Sequence, residues 1–391
     1  LIISLGLLPL TVHFFQQASV ISPLANLIAV PVVGFVIVPV CFLGVVALFL
    51  IPSLGIQVLS FAVYVFELLL EMLTWFAELP FSHLTFATPG WLTLILAGAG
   101  FLLLLLPRIL KTRILALLCI MPLLFPFHTL PEKGEAEVTV LDVGQGLAVV
   151  VQTAQHSMVY DAGPRFSQYF DTGRAVVIPY LNDKGIRQVD TLLISHGDND
   201  HIGGAKSVLE ALQIEVVVTS VPEKFSFSKT KRCQRGQTWS WDTVKIEVLH
   251  PDILDYVNGY SENNLSCVIK ITTRSQSFLL TGDIEVEAET LLLERYADYL
   301  RSDTLIAPHH GSNSSSSSQF LAVVRPRRVI VPAGWRNRYR FPHGDVLERY
   351  ARHSIEVLIT AQQGAITMHS GSEKTSSFRE QNRYYWERYN E

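Results

Sequence analysis

Four side chains able to bind a metal, His196, Asp198, Asp200 and His201, crowd into Ser195-His196-Gly197-Asp198-Asn199-Asp200-His201-Ile202-Gly203-Gly204. Imidazole nitrogens and carboxylate oxygens at such spacing converge on one or two divalent cations. The stretch follows the apolar run 189–194, which reads as a strand, and precedes 205–212, which reads as a helix. The four therefore share one strand-to-helix turn. Stations of the same kind recur downstream. Thr281-Gly282-Asp283 closes the apolar run 278–280, Pro308-His309-His310-Gly311-Ser312 closes 304–307, and Pro342-His343-Gly344 opens the last helix. A lone Gly-Asp is usually a turn and a lone histidine usually structural. Repetition at successive strand ends is what points to one metal-dependent site.

The elements that must position these stations are mostly strands. Residues 136–146 alternate apolar and polar and end in a glycine turn; 147–153 and 157–161 continue, with Asp161-Ala162-Gly163-Pro164 as an exit. Further strands are expected at 216–220, 245–249, 267–272, 278–280 and 304–307, with helices at 205–212, 285–300 and 346–352. Hairpins with interspersed helices predict two sheets packed together and covered by helices, not a doubly wound parallel sheet.

The charge balance divides the chain. Residues 1–127 hold only Arg108, Lys111, Arg113, Glu67, Glu71 and Glu78; the rest of the 31 Lys/Arg and 35 Asp/Glu lie beyond. The chain is thus α+β: a polytopic α-helical membrane segment (1–127, starting inside an apolar run as an N-terminally truncated protein would), a linker (128–135), a soluble domain (136–370) and a polar, mobile tail (371–391). Residues 22–51 contain Pro31, Gly34, Pro39 and Gly44 and exceed the roughly 30 Å hydrocarbon core, which predicts a broken or re-entrant helix plus a span. Further spans are expected at 56–76, 91–106 and 114–127, with an amphipathic connector at 14–22. The only basic loop, 107–113, should face the cytoplasm, which puts the soluble domain in the periplasm of a cell that has one. Glu67 and Glu71 share a helix face and either line a polar path or snorkel to water. Four cysteines make no disulfide framework, and Cys233 and Cys267 are expected as free thiols.

The set HxDxDH, TGD and HHGS resembles the metallo-β-lactamase superfamily, in the version with Asp where a second His is usual. Val140-Leu141-Asp142-Val143-Gly144-Gln145-Gly146, Asp161-Ala162-Gly163, Glu262-Asn263-Asn264-Leu265-Ser266 and the membrane stretch from Ser22-Pro23-Leu24-Ala25-Asn26 to Pro31 further resemble the ComEC-type competence proteins. The resemblance implies an αββα sandwich, a multi-pass protein of the cell inner membrane that works in DNA uptake, and a soluble domain that degrades the non-imported strand as a metal-dependent nuclease. It also implies contact with the lipid bilayer and with other DNA-uptake proteins, and leaves a homo-oligomer open.

By that pattern His196 and Asp198 hold one metal, Asp200 and His201 a second, and Asp283 bridges them. His309 is the favoured further ligand with His310 on the substrate phosphate, and His343 is either a ligand or a proton donor. Asp200, His310 and His343 are thus the candidate catalytic residues. Asp142 and Asp161 either orient ligands or shape turns. Asp198 in place of an imidazole favours Mn²⁺ over Zn²⁺ for the two divalent ions. The place of a further ligand His between His201 and Asp283 falls to His250, or to Asn264 or Ser266. Arg325, Arg327, Arg328, Arg336, Arg338 and Arg340, among Trp335, Tyr339 and Phe341, form a candidate patch for single-stranded DNA, or else a charged sheet edge. The serine-rich stretch 312–318 reads as a flexible rim. Two further readings stand beside the nuclease: a DNA channel with a non-catalytic DNA-binding domain, and a membrane-tethered phosphodiesterase with another substrate.

Overall fold

The computed structural model describes residues 2–80, 82–106, 112–124, 129–372 and 375–382. It divides into two compact units, Leu1–His128 with Asn182–Gly185, and Thr129–Leu181 with Ile186–Glu391.

In the first unit two helices are long and apolar enough to cross a membrane, Ser22–Leu50 and Pro52–Glu78. The first is continuous, not broken. Pro31 and Pro39 cannot donate to the helical ladder, and the intervening turns, Val32–Ile37, widen into a π segment that accommodates them. Gly44 and Gly55 let the two helices close. A Cβ on Gly44 would meet the Leu59 side chain at 2.7 Å, and one on Gly55 the Leu48 backbone nitrogen at 2.5 Å. The buried stripe of the second helix, Gly55, Ala62, Leu69 and Phe76, repeats every seven residues, while Glu67 and Glu71 are exposed. Helices Ile2–Phe15, Trp91–Leu105 and Arg113–Leu124 have 14, 15 and 12 residues, short of the roughly 20 that a perpendicular span needs. Part of the expected connector is a strand, Gln17–Ser19, paired with His83–Thr85. Residues 107–111 of the basic loop, and 125–127 of the last expected span, lie outside the described residues.

The second unit is a sandwich of an eight-stranded and a seven-stranded sheet. In the larger sheet Glu137–Val140, Val149–Gln152 and Ser157–Tyr160 form an antiparallel meander, and Gln188–Ile194, Gln213–Thr219 and Thr230–Arg232 extend it in parallel. The smaller runs antiparallel from Thr238–Trp241 through Val244–His250 and Val268–Thr272 to Ser277–Leu280, then parallel through Thr304–Ile306, Arg328–Val331 and Glu356–Ile359. Parallel strands are therefore half of the fold, where hairpins alone were expected.

Side-chain parity builds the layers. Val138, Val140, Val149, Val151, Met158 and Tyr160 point inward against Ile246, Val248, Ile269, Ile271, Phe278 and Leu280. Their neighbours Val150, Val159, Leu192 and Ile194 point outward onto Val177, Leu181, Ala205 and Val208. Leu279, Leu305 and Val329 do the same onto Leu292, Phe320, Val324 and Tyr350. Each fully buried aliphatic contributes about 1.5–3 kcal/mol. The layers are αββα, as the resemblance implied.

Three further expectations change. Cys233 and Cys267 stand on facing sheets with Cα atoms 6.1 Å apart, a separation that suits a disulfide, because the sandwich brings their strands together. The serine-rich stretch is not a loose rim: Ser315 and Ser316 are buried, and Glu289 accepts from the Ser316 and Ser317 amides. The polar tail contributes Thr375–Ser377 as an edge strand beside Ile366–His369.

Candidate metal centre

The stations gather at the carboxyl ends of strands. Asp161 follows Ser157–Tyr160, His196 follows Gln188–Ile194, Asp283 follows Ser277–Leu280 and His310 follows Thr304–Ile306. Among the described residues, Asp200, His201, Asp283 and His310 form a group whose ligand atoms all lie within 4.8 Å of one another. His201 Nε2 is 3.1 Å from Asp283 Oδ1 and 3.2 Å from His310 Nε2, which is 3.4 Å from both Asp200 Oδ2 and Asp283 Oδ2. The His196 ring lies beside that of His201 with centroids 4.2 Å apart, and its Nε2 is 3.6 Å from Asp198 Oδ2.

Hydrogen-bond partners assign the tautomers. Asp161 accepts from the Ser195 amide and hydroxyl and from His201 Nδ1, each at 2.7 Å. With its proton given to Asp161, Ser195 Oγ accepts from His196 Nδ1 at 3.0 Å. His310 Nδ1 donates to the Pro332 carbonyl at 2.8 Å. All three imidazoles therefore turn a bare Nε2 toward the cluster. His196 Nε2 and Asp283 Oδ1 are buried without a hydrogen bond. Orphaned acceptors of this kind cost about 1–3 kcal/mol each unless something satisfies them. The donor set fits a divalent cation.

Electrostatics agree. Burial alone would push His201 down, yet the Asp283 and Asp161 carboxylates hold it well above the ordinary histidine value. Burial likewise opposes charge on His310, but Asp283 and Asp200 push it up to about 9. Burial would raise Asp283, and the facing imidazoles His201 and His310 hold it well below the usual carboxylate range. The pocket favours positive charge at its centre, carried by protons or by a metal that displaces them.

Local backbone explains why these residues meet. His309, His310 and Gly311 have φ of +48°, +55° and +81°, a left-handed run that turns consecutive histidines to different sides. Gly146, at φ +145°, lies where a Cβ would meet the Asp200 carbonyl at 2.4 Å. That carbonyl accepts from the Leu147 amide. The glycines of the 140–146 motif thus seat the second carboxylate of the opening turn.

His309, expected as the ligand, stands aside: its Nε2 is 3.7 Å from Asp283 Oδ2 and its Nδ1 is 3.4 Å from Glu285. His310, expected on the substrate, is in the cluster. His343 Nδ1 accepts from the Asn313 amide and its Nε2 donates to the Tyr339 carbonyl, so both nitrogens are engaged. His250 is elsewhere, donating to the Asn264 carbonyl and facing Asp255. Ser266 fills the space instead, with Oγ 3.3 Å from His196 Nδ1 and donating distance from the Asp283 amide at 3.1 Å. Asp142 shapes a turn, accepting from the Gly144 amide, and pairs with Arg379. Strand Arg328–Val331 divides the arginine patch: Arg325, Arg327 and Arg328 precede or begin it, while Arg336, Arg338 and Arg340 follow it. On the latter side Tyr339 stacks on Phe341 at 5.4 Å and Phe341 on His310 at 6.4 Å. Sequence reasoning missed Ser195 and Pro332, whose roles depend on backbone and hydroxyl contacts that carry no motif.

Comparison with known proteins fits this geometry. The family model described as metallo-beta-lactamase superfamily matches residues 141–335, and that described as competence protein matches 1–111. Competence protein ComA of Neisseria gonorrhoeae is 33% identical over 378 residues, 96% of this chain and 52% of that protein. ComE operon protein 3 of Bacillus subtilis (strain 168) is 32% identical over 399 residues, 94% of this chain and 50% of that protein. The soluble unit is a metallo-beta-lactamase superfamily domain. Joined to its competence-protein segment, it places the chain in the ComEC-type competence protein family. The chain spans about half the length of these relatives.

Proposed function

We propose that this chain acts in DNA uptake across the inner membrane during natural transformation, and that its soluble unit is a metal-dependent phosphodiesterase that cuts the strand not imported. One observation carries the reading: two carboxylates and two bare imidazole nitrogens converge within 4.8 Å, beside orphaned buried acceptors. Asp200, His201, Asp283 and His310 would hold a divalent cation, with His196 and Asp198 beginning a second position. Two hard carboxylates favour Mn²⁺ over Zn²⁺. Such a cation supplies Lewis-acid stabilisation of a phosphoryl group.

The chain's own residues do the rest. Asp161 and Ser195 aim His201 and His196. His309, at the rim, donates to a phosphoryl oxygen, which exchanges the roles first read for His309 and His310. His343 is a positioning residue that ties Asn313 to Tyr339. Trp335 and Tyr339 are exposed and take bases, and Arg336 and Arg338, set over those two rings, meet phosphates. The helices of the first unit form a multi-pass segment in the bilayer, with the soluble unit in the periplasm.

The test is cleavage of end-labelled single- and double-stranded DNA by the detergent-solubilised full chain in Mn²⁺. The wild type should shorten the label and Asp200→Ala should fall to background. Retained DNA binding with no cleavage in any divalent metal would instead identify a non-catalytic, DNA-binding domain.

A further inference from the structure

The arginines left out of the site gather elsewhere. At the amino ends of the parallel strands, the opposite end from the metal cluster, lies a cavity of about 280 Å³. It is lined by Lys270, Ser277, Asp298, Tyr299, Arg301, Ser302, Asp303, Arg325 and Arg327, four cations against two acids in a chain of net charge −4. Asp303 is already engaged. It accepts from the Ser277 amide and hydroxyl at 2.8 and 2.9 Å and faces Arg327 at 3.8 Å.

Lys270 is 7% exposed, its Nζ donating to the Tyr299 and Arg301 carbonyls over the Tyr299 ring. It is a fixed charge at the cavity wall. Arg301 and Arg325 are exposed, and neither has a carboxylate partner among the described residues. Arg325 caps helix Ser318–Val324 at φ +47°, a conformation that arginine rarely adopts, and so projects from the mouth of the cavity. Thr304 to Pro308 spans about 13 Å at strand rise, so this cavity and the metal cluster are separate places on one sheet.

We propose that this cavity is a phosphate-binding site, holding the phosphate of a nucleotide or of a nucleic-acid strand between Lys270, Arg301 and Arg325. Guanidinium forks match phosphate oxygens, and the buried ammonium adds charge that solvent screens weakly. The proposal does not depend on hydrolysis at the cluster.

Three probes test it on the full chain in detergent with EDTA present: dAMP, its nucleoside deoxyadenosine, and a short single-stranded oligonucleotide. The double variant Arg301→Ala/Arg325→Ala should weaken a phosphate-bearing probe at least tenfold. It should also flatten the log–log salt dependence of oligonucleotide binding by about 1.4, near 0.7 per lost phosphate contact. Arg301→Lys/Arg325→Lys should restore most of the affinity, and Lys206→Ala should change nothing. Loss for dAMP and oligonucleotide alike identifies a mononucleotide site; loss for the oligonucleotide alone identifies a strand contact. Unchanged affinity for both, or an equal effect on deoxyadenosine, would overturn the proposal.

Discussion

At the scale of single residues, the decisive feature is a relay that fixes imidazole tautomers. Asp161 sits at φ +60° and takes three hydrogen bonds, two from Ser195 and one from His201. The relay leaves the Nε2 atoms of His196 and His201 bare. Asn tolerates the same backbone conformation, so Asp161→Asn keeps the fold while removing the charge and one acceptor. Metal affinity should fall about 10–100-fold, as for other partners that orient a ligand from behind, with an unchanged circular dichroism spectrum. Calorimetric titration with Mn²⁺ checks it; wild-type affinity would show that Asp161 serves only the turn.

At the scale of elements, His250 shows how a residue that looks like a ligand becomes structural. It is fully buried at the end of strand Val244–His250, bonded to the Asn264 carbonyl beside the Asp255–Arg295 pair. Burial pushes its pKa below the ordinary histidine value, although Asn264 and Asp255 act the other way. A histidine depressed in the folded state stays neutral there while the unfolded chain takes up a proton. Its contribution is therefore complete above about pH 6.5 and is lost as pH falls toward the folded value. The stability advantage of wild type over His250→Gln in urea should shrink between pH 7.5 and 5.

The same scale explains what the sequence disclosed. Apolar runs ending in Asp or His were legible because chemistry and strand ends coincide at Asp200, Asp283 and His310. Two sheets and the central helices followed from alternation. Arg328–Val331 and Glu356–Ile359 were hidden because flanking arginines and glutamate masked four-residue runs. The choice between His309 and His310 was not legible at all. It depends on a left-handed backbone that no residue type announces.

At the scale of the whole molecule, two units with unlike solvents share one chain. The helix pair Ser22–Leu50 and Pro52–Glu78 is closed by glycine, and a Cβ at Gly55 would press on the Leu48 backbone, which cannot move aside. Gly55→Val should lower stability by about 1–3 kcal/mol, the cost of overpacking. Gly98, with nothing within 4 Å of a built Cβ, is the matched control. Thermal unfolding of the detergent-solubilised chain should show a lower midpoint for the first variant and not for Gly98→Val.

The account stands or falls on whether the four-residue cluster holds a metal. Electron paramagnetic resonance of Mn²⁺ titrated into the full chain measures this directly for wild type, His310→Ala and His309→Ala. Bound Mn²⁺ should be lost, or weakened at least about tenfold, in His310→Ala and retained in His309→Ala, as expected when one of two adjacent imidazoles is a ligand and the other faces the substrate. Wild-type binding by His310→Ala would contradict it.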